Sequence, residues 1–194
     1  MNKLIVVIMG PGKKHFAEMC LESIKDADKI LYWTPDKERL WEILEDKQLD
    51  YITEMFNNGW DESDPQTNGK CRQRYLEHLK ENYPNDWCLV LDEDEILEED
   101  GIKKIKKFIS ESPEGLYNVK MRHFINNLGW EDATRPVHVV PCRLFKISKA
   151  IKYPEHSHPV LEGELKGACL DTTIWHMGHL PVSYLDYIFH QKKL

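Results

Sequence analysis

Trp87-Cys88-Leu89-Val90-Leu91-Asp92-Glu93-Asp94-Glu95-Ile96-Leu97 passes in one step from an apolar run to four consecutive acids. The run from Cys88 to Leu91, preceded by Pro84-Asn85-Asp86, reads as a buried strand covered on both faces. Four adjacent carboxylates at its end repel one another beside an apolar layer, and that costs stability unless a cation neutralises them. In an extended backbone, side chains two apart share a side, so Asp92 and Asp94 are expected to face one way. Two converging hard oxygen donors suit Mg²⁺ or Mn²⁺ held together with a substrate phosphate. The competing expectation is a solvated acidic turn leading into the next helix.

Upstream, Lys3 to Met9 reads as a first strand, Gly10-Pro11-Gly12 as a turn, and Lys14 to Ile24 as a helix with one apolar side. Lys29 to Trp33 is a second strand. Thr34 is placed to cap a helix carrying Leu40, Ile43 and Leu44. Tyr51 to Phe56 reads as a third strand, Asn57 to Asn68 as a polar loop, and Gly69 to Tyr83 as a helix. Downstream, Glu98 to Ser110 is a helix with the stripe Ile102, Ile105, Phe108 and Ile109. Strand and helix in alternation predict an α/β, doubly wound and mostly parallel sheet. Ligands sit outside the carboxyl ends of such strands. That edge should carry Gly10-Pro11-Gly12, Thr34-Pro35-Asp36, the Asn57–Asn68 loop and Asp92–Glu95. After Pro113 the chain is β-rich and irregular: strands at Leu116–Phe124, Val137–Ile147 and Thr172–His176, then a terminal helix from Pro181.

The 194 residues fit one domain, and 41% hydrophobic with 30% charged residues describes a soluble globular protein. No apolar run approaches transmembrane length, and no basic leader precedes the first strand. A net charge of −7 argues against a general nucleic-acid binder. The five cysteines are scattered and odd in number, as for reduced thiols in the cytoplasm.

Three places carry a resemblance to small glycosyltransferases of family 2, with the nucleotide-sugar-binding fold called GT-A. The opening from Leu4 to Trp33, with Cys20-Leu21-Glu22-Ser23-Ile24 between two strands, is similar to the family's first strand, helix and strand. Trp87 to Leu97 is similar to its aspartate signature, an apolar strand ending Asp-x-Asp-Glu. Cys142-Arg143-Leu144-Phe145-Lys146, with Tyr153 and His158 downstream, looks like its Arg-Leu-Phe segment and following histidine. Two places depart from the pattern. The second strand ends Trp33-Thr34-Pro35, with the nearest acid at Asp36, and the helix before the signature has Arg72-Gln73 in place of Arg-Asn.

The resemblance implies a single GT-A domain over 1–194. Its 1–112 half would bind a nucleotide diphosphate sugar (a UDP- or GDP-sugar), and its 113–194 half would face a glycan, lipid or protein acceptor. It implies inverting transfer to a hydroxyl, with Mn²⁺ or Mg²⁺ on the departing diphosphate. Asp94 would ligate that cation directly. Asp92 would join it or contact the ribose, and His176, or less directly His179, would add a late histidine. Glu95 would orient the loop or bind the acceptor. Gly10, Pro11, Asp36, Lys70 and Arg72 are the remaining candidates for the nucleotide sugar, and Trp60 and Trp130 could stack on a base or sugar ring. The catalytic base stays open among Glu131, Asp132, Glu155 and Glu162, with Asp132 and Glu162 favoured by the resemblance. Three other readings compete: a nucleotidyltransferase using Gly10-Pro11-Gly12-Lys13-Lys14, a cupin-like metal site from His156, His158, Glu162 and His176, and a binding protein without turnover.

Overall fold

Parity along the strands decides the layers. In a computed structural model that describes residues 2–11, 14–47, 52–112, 115–125, 137–156, 160–163 and 165–180, strand β1 (Leu4–Met9) is buried throughout. Leu4, Val6 and Ile8 enter one apolar layer, while Ile5, Val7 and Met9 enter another. The strand at Lys29–Thr34 (β2) and the one at Trp87–Asp92 (β4) divide in the same way. A strand buried on both faces needs helices on both. Helices α1 (Lys14–Ile24), α2 (Lys37–Lys47) and α4 (Gly101–Glu111) add Leu21, Leu40 and Ile105 to the first layer. Helix α3 (Thr67–Asn82) adds Tyr75, Leu76 and Leu79 to the second.

The remaining strands are β3 (Glu54–Asn57), β5 (Glu95–Leu97), β6 (Leu116–His123), β7 (His138–Lys146) and β8 (Leu165–His176). All eight form one sheet in the order β3-β2-β1-β4-β7-β6-β8-β5. Four of its seven pairings are parallel: β1 with β2, β1 with β4, β2 with β3, and β6 with β8. The expected doubly wound, mostly parallel α/β sheet is thus present. No helix of the described residues is long and apolar enough to cross a membrane, and all five cysteines are free.

Several element ends differ from expectation, each for a local reason. Thr34 does not cap α2. Its Oγ1 accepts the N–H of Asp36, whose own carboxylate accepts the N–H of Arg39, so Asp36 is the cap. The ladder of β3 begins only at Glu54. Helix α4 begins at Gly101, directly after Asp100 in the left-handed region (φ 59°), while the N–H of Glu98 on the carbonyl of Thr173 prolongs the β5–β8 contact. Strand β8 starts seven residues before Thr172, where Lys166-Gly167-Ala168 has no strand pattern but follows β6 from Leu116 onward. The terminal helix expected after Pro181 lies outside the described residues.

Leu89 is fully buried in the middle of β4. Leu89→Ala should cost about 2–5 kcal/mol, read as a lower urea midpoint at unchanged slope. Trp41→Ala, on a side chain 53% exposed, should stay within about 0.5 kcal/mol.

Candidate functional site

The chain runs β1, β2, β3 outward in one direction and then returns to lay β4 on the other side of β1. At such a switch point the loops diverge and leave a crevice at the carboxyl ends of the strands. Here Met9 lies opposite Asp92, and a cavity of about 480 Å³ opens beside them. Gly10, Pro11, Pro35, Asn58, Trp60 and Arg72 form part of its wall. Asp92, Glu93, Asp94 and His176 also line it. The volume lies within the range of small-molecule sites.

The acids are neither extended nor uniformly solvated. Asp92 closes β4, Glu93 and Asp94 form a turn, and Glu95 opens β5. The strand parity expected for Asp92 and Asp94 therefore does not apply, yet the turn delivers both to the cavity. Glu93 and Glu95 are 3% and 1% exposed. Glu93 accepts a hydrogen bond from the Tyr32 hydroxyl at 2.8 Å and packs where a Cβ on Gly10 would collide with it.

Two guanidiniums offset the half-buried Asp92 and the buried Glu95. Arg72 donates to Asp92 Oδ1 at 2.8 Å and to Asn68 Oδ1 at 2.9 Å. Arg143 donates to Glu95 Oε1 at 2.6 Å and reaches Asp92 Oδ2 at 3.4 Å. Glu95 Oε2 in turn accepts the backbone N–H of Asp92 at 2.8 Å, so Glu95 orients the loop. Burial raises the Asp92 carboxyl, but Arg72 and Arg143 outweigh it and hold the group at about 2. Burial pushes Glu95 up to about 8, against the pull of Arg143 and with a further push from Asp92.

Asp94 has a different neighbour. Its Oδ2 lies 3.6 Å from His176 Nε2, and its carbonyl accepts the N–H of Met177 at 2.7 Å. Gly178 allows this approach, since a Cβ there would collide with Asp94 Oδ2 and crowd His176. Burial lowers the His176 pKa, against the attraction of Asp94, which favours the neutral ring. A neutral imidazole beside a carboxylate is a donor set that fits a divalent cation such as Mn²⁺. His123 stands behind His176, with the two Nδ1 atoms 3.1 Å apart.

The structure thus brings Gly10, Pro11, Arg72, Asp92, Asp94 and His176 around one cavity. Asp36 caps α2 and does not line it. Lys70 does not line it either and pairs with Asp64 at 2.7 Å. Glu162 is half-exposed, 3.2 Å from Lys152. Glu131, Asp132, Trp130 and His158 lie outside the described residues. Sequence reasoning gave no role to Tyr32, Glu93 or His123, and tied Arg143 only to a motif. The signal for Arg143 was a cation between the apolar Cys142 and Leu144-Phe145, where a buried charge calls for an acid partner.

No family model and no curated protein matches the chain. Among solved structures, the 1–349 fragment of TarS from S. aureus aligns with 79% of this chain and half of its own, at 15% identity and a TM-score of 0.54. A longer S. aureus TarS structure aligns over 79% of this chain and 30% of its own, at 15% identity and a TM-score of 0.53. A 4-diphosphocytidyl-2C-methyl-D-erythritol synthase overlays at 14% identity over 76% of each chain, but its TM-score of 0.47 is too low to inform the fold. This chain spans half or less of the length of the TarS structures. The likeness to TarS is one of architecture, and it agrees with a Rossmann-like α/β fold of the GT-A kind.

The raised Glu95 carboxyl has a signed consequence for stability. Between 4.5 and about 8 the folded chain holds a proton there that the unfolded chain has released. Stability from this group is therefore complete below that window and is lost as pH rises through it. Asp92 acts in the opposite direction, losing its contribution as pH falls from 3.8 to about 2. Glu95→Gln should flatten the upper slope in urea midpoints taken across pH 4.5 to 8 and leave the acid limb in place.

Proposed function

We propose that the protein is a glycosyltransferase that moves a sugar from a nucleoside diphosphate donor, a UDP- or GDP-sugar, to an acceptor hydroxyl. The observation that carries this reading is the division of labour among the acids at the switch point. Asp92 is paired with both Arg72 and Arg143, and Glu95 is engaged by Arg143 and holds its proton up to about pH 8. Asp94 faces the same cavity, and no guanidinium or ammonium of the described residues lies within ion-pair distance of it. On this reading Asp94 holds Mn²⁺ or Mg²⁺ with His176 beside it. The cation would supply Lewis-acid neutralisation of the charge growing on the diphosphate as the sugar–oxygen bond breaks.

The chain's own residues do the rest. Gly10 and Pro11 give the donor a close backbone wall, and Trp60, 44% exposed at the rim, offers a face for a base. Arg72, fixed by Asn68 and Asp92, keeps a positive group at the phosphate end. Asn68, Arg72 and Asp92 also line a second cavity of about 300 Å³, walled by Cys142, Tyr153 and Leu161. The acceptor would enter there, from the β-rich side. Glu162 and Asp132 remain the candidate bases; Glu162 does not itself line that cavity and would have to leave its pairing with Lys152 to reach the acceptor. Proton removal from the acceptor hydroxyl would let its oxygen attack the sugar carbon opposite the departing diphosphate, with inversion.

Purified protein incubated with UDP- and GDP-sugars and Mn²⁺ should show a raised melting temperature and slow release of nucleoside diphosphate. Asp94→Asn should lower the metal-dependent rate roughly a hundredfold, the equivalent of about 3 kcal/mol of lost charge stabilisation. Release of pyrophosphate when a nucleoside triphosphate and a sugar 1-phosphate are supplied instead would assign the site to nucleotidyl transfer, and no stabilisation by any nucleoside diphosphate or NDP-sugar would sink the sugar-transfer reading.

A further inference from the structure

Three imidazoles meet at the far side of His176. Strands β6 and β8 run parallel with His123 opposite His176, and the turn after β8 folds His179 back over them, closed by the N–H of Leu180 on the carbonyl of Met177. One ring nitrogen from each of the three histidines lies within 4.8 Å of the others. Ring centroids are 4.7 Å apart for His123 and His176 and 5.2 Å for His176 and His179. His123 is buried, His176 intermediate and His179 exposed, so an ion could enter from the His179 side.

We propose that His123, His176 and His179 form a nitrogen-donor site for a borderline divalent metal ion, Zn²⁺ being the best fit. Tetrahedral Zn²⁺ with bonds of about 2.05 Å separates its nitrogen ligands by about 3.3 Å. The Nδ1 atoms of His123 and His176 share a hydrogen bond at 3.1 Å, close to that separation, so the ion would replace the shared proton and the rings would turn to aim both nitrogens at it. A ring that binds metal through Nδ1 carries its proton on Nε2, and that nitrogen of His176 is the one facing Asp94 at 3.6 Å. Metal, imidazole and carboxylate would then stand in line, a common arrangement for fixing a ligating histidine. Three imidazoles are a poor set for Mg²⁺, which takes oxygen ligands and retains water. The site goes beyond the sugar-transfer reading and sharpens it: His176 positions Asp94 through Nε2, and does not itself ligate the cation on the diphosphate.

The test uses the full chain stripped of metal and titrated with Zn²⁺ alone and with Co²⁺ alone, Mg²⁺ being present in excess. One equivalent of Zn²⁺ should bind, and Co²⁺ should show the intense visible absorption of a four- or five-coordinate ion. Because His123 is buried, His123→Gln is paired with His179→Ala at the exposed position, and circular dichroism checks the fold of each. Both should weaken Zn²⁺ binding roughly tenfold or more, while binding of UDP or GDP with Mg²⁺ is unchanged. Equal Zn²⁺ affinity in wild type and a folded His179→Ala variant, or a Co²⁺ spectrum like that of the aqua ion, overturns the site. Zn²⁺ binding by a protein that takes no nucleoside diphosphate supports the nitrogen site and counts only against sugar transfer.

Discussion

The charge pairing of Asp92 and Glu95 with Arg72 and Arg143 is the constraint on which the rest of the structure depends. Asp92 at the end of β4 and Glu95 at the start of β5 are tolerable this close together only if compensated, Asp92 by both guanidiniums and Glu95 by Arg143 and, up to about pH 8, by its own proton. The compensation comes from two elements distant in sequence. Arg72 belongs to α3, on one face of the sheet, and Arg143 to β7, the antiparallel neighbour of β4. The pairs therefore bind the parallel half of the sheet, the helix beneath it and the antiparallel half at one point. They also leave Asp94 as the acid whose neighbour is an imidazole.

The parallel half was legible in the sequence because its information is local. Apolar runs of β1, β2 and β4 and the helical stripes of α1 and α4 each state their own type, and alternation then restricts how they assemble. The site was legible as far as the strand ends go, since a doubly wound sheet exposes those ends along one edge. What escaped reading depends on pairing between distant strands. Glu93 looks solvated until Tyr32 of β2 is known to lie across from it. His123 looks like one histidine among nine until β6 is laid beside β8. The first half of β8 escaped for the same reason: its strand character comes from its partner, since Lys166-Gly167-Ala168 has little of its own.

Glycine placement shows how closely the site is packed. Gly10 and Gly178 each admit an acid where a side chain would stand, Glu93 in one case and Asp94 in the other. Neither has an unusual backbone angle among those recorded as positive, so the requirement at both is space and not conformation. The acidic turn is held from both sides by backbone that can come near enough to touch it.

The position of β8 has a consequence for the order in which the molecule can assemble. Strand β5 follows the acidic turn directly, yet its ladder partner is β8, with Glu95 opposite His176 some eighty residues later. Strand β6 likewise waits for β8 to cover its second edge. Contacts between segments so far apart carry the loop-closure entropy of everything between them and form late. During synthesis the parallel half can therefore pack while the turn at its end still lacks one anchor. Strand β8 is made after the other seven strands of the sheet, so cavity and sheet reach their final form together.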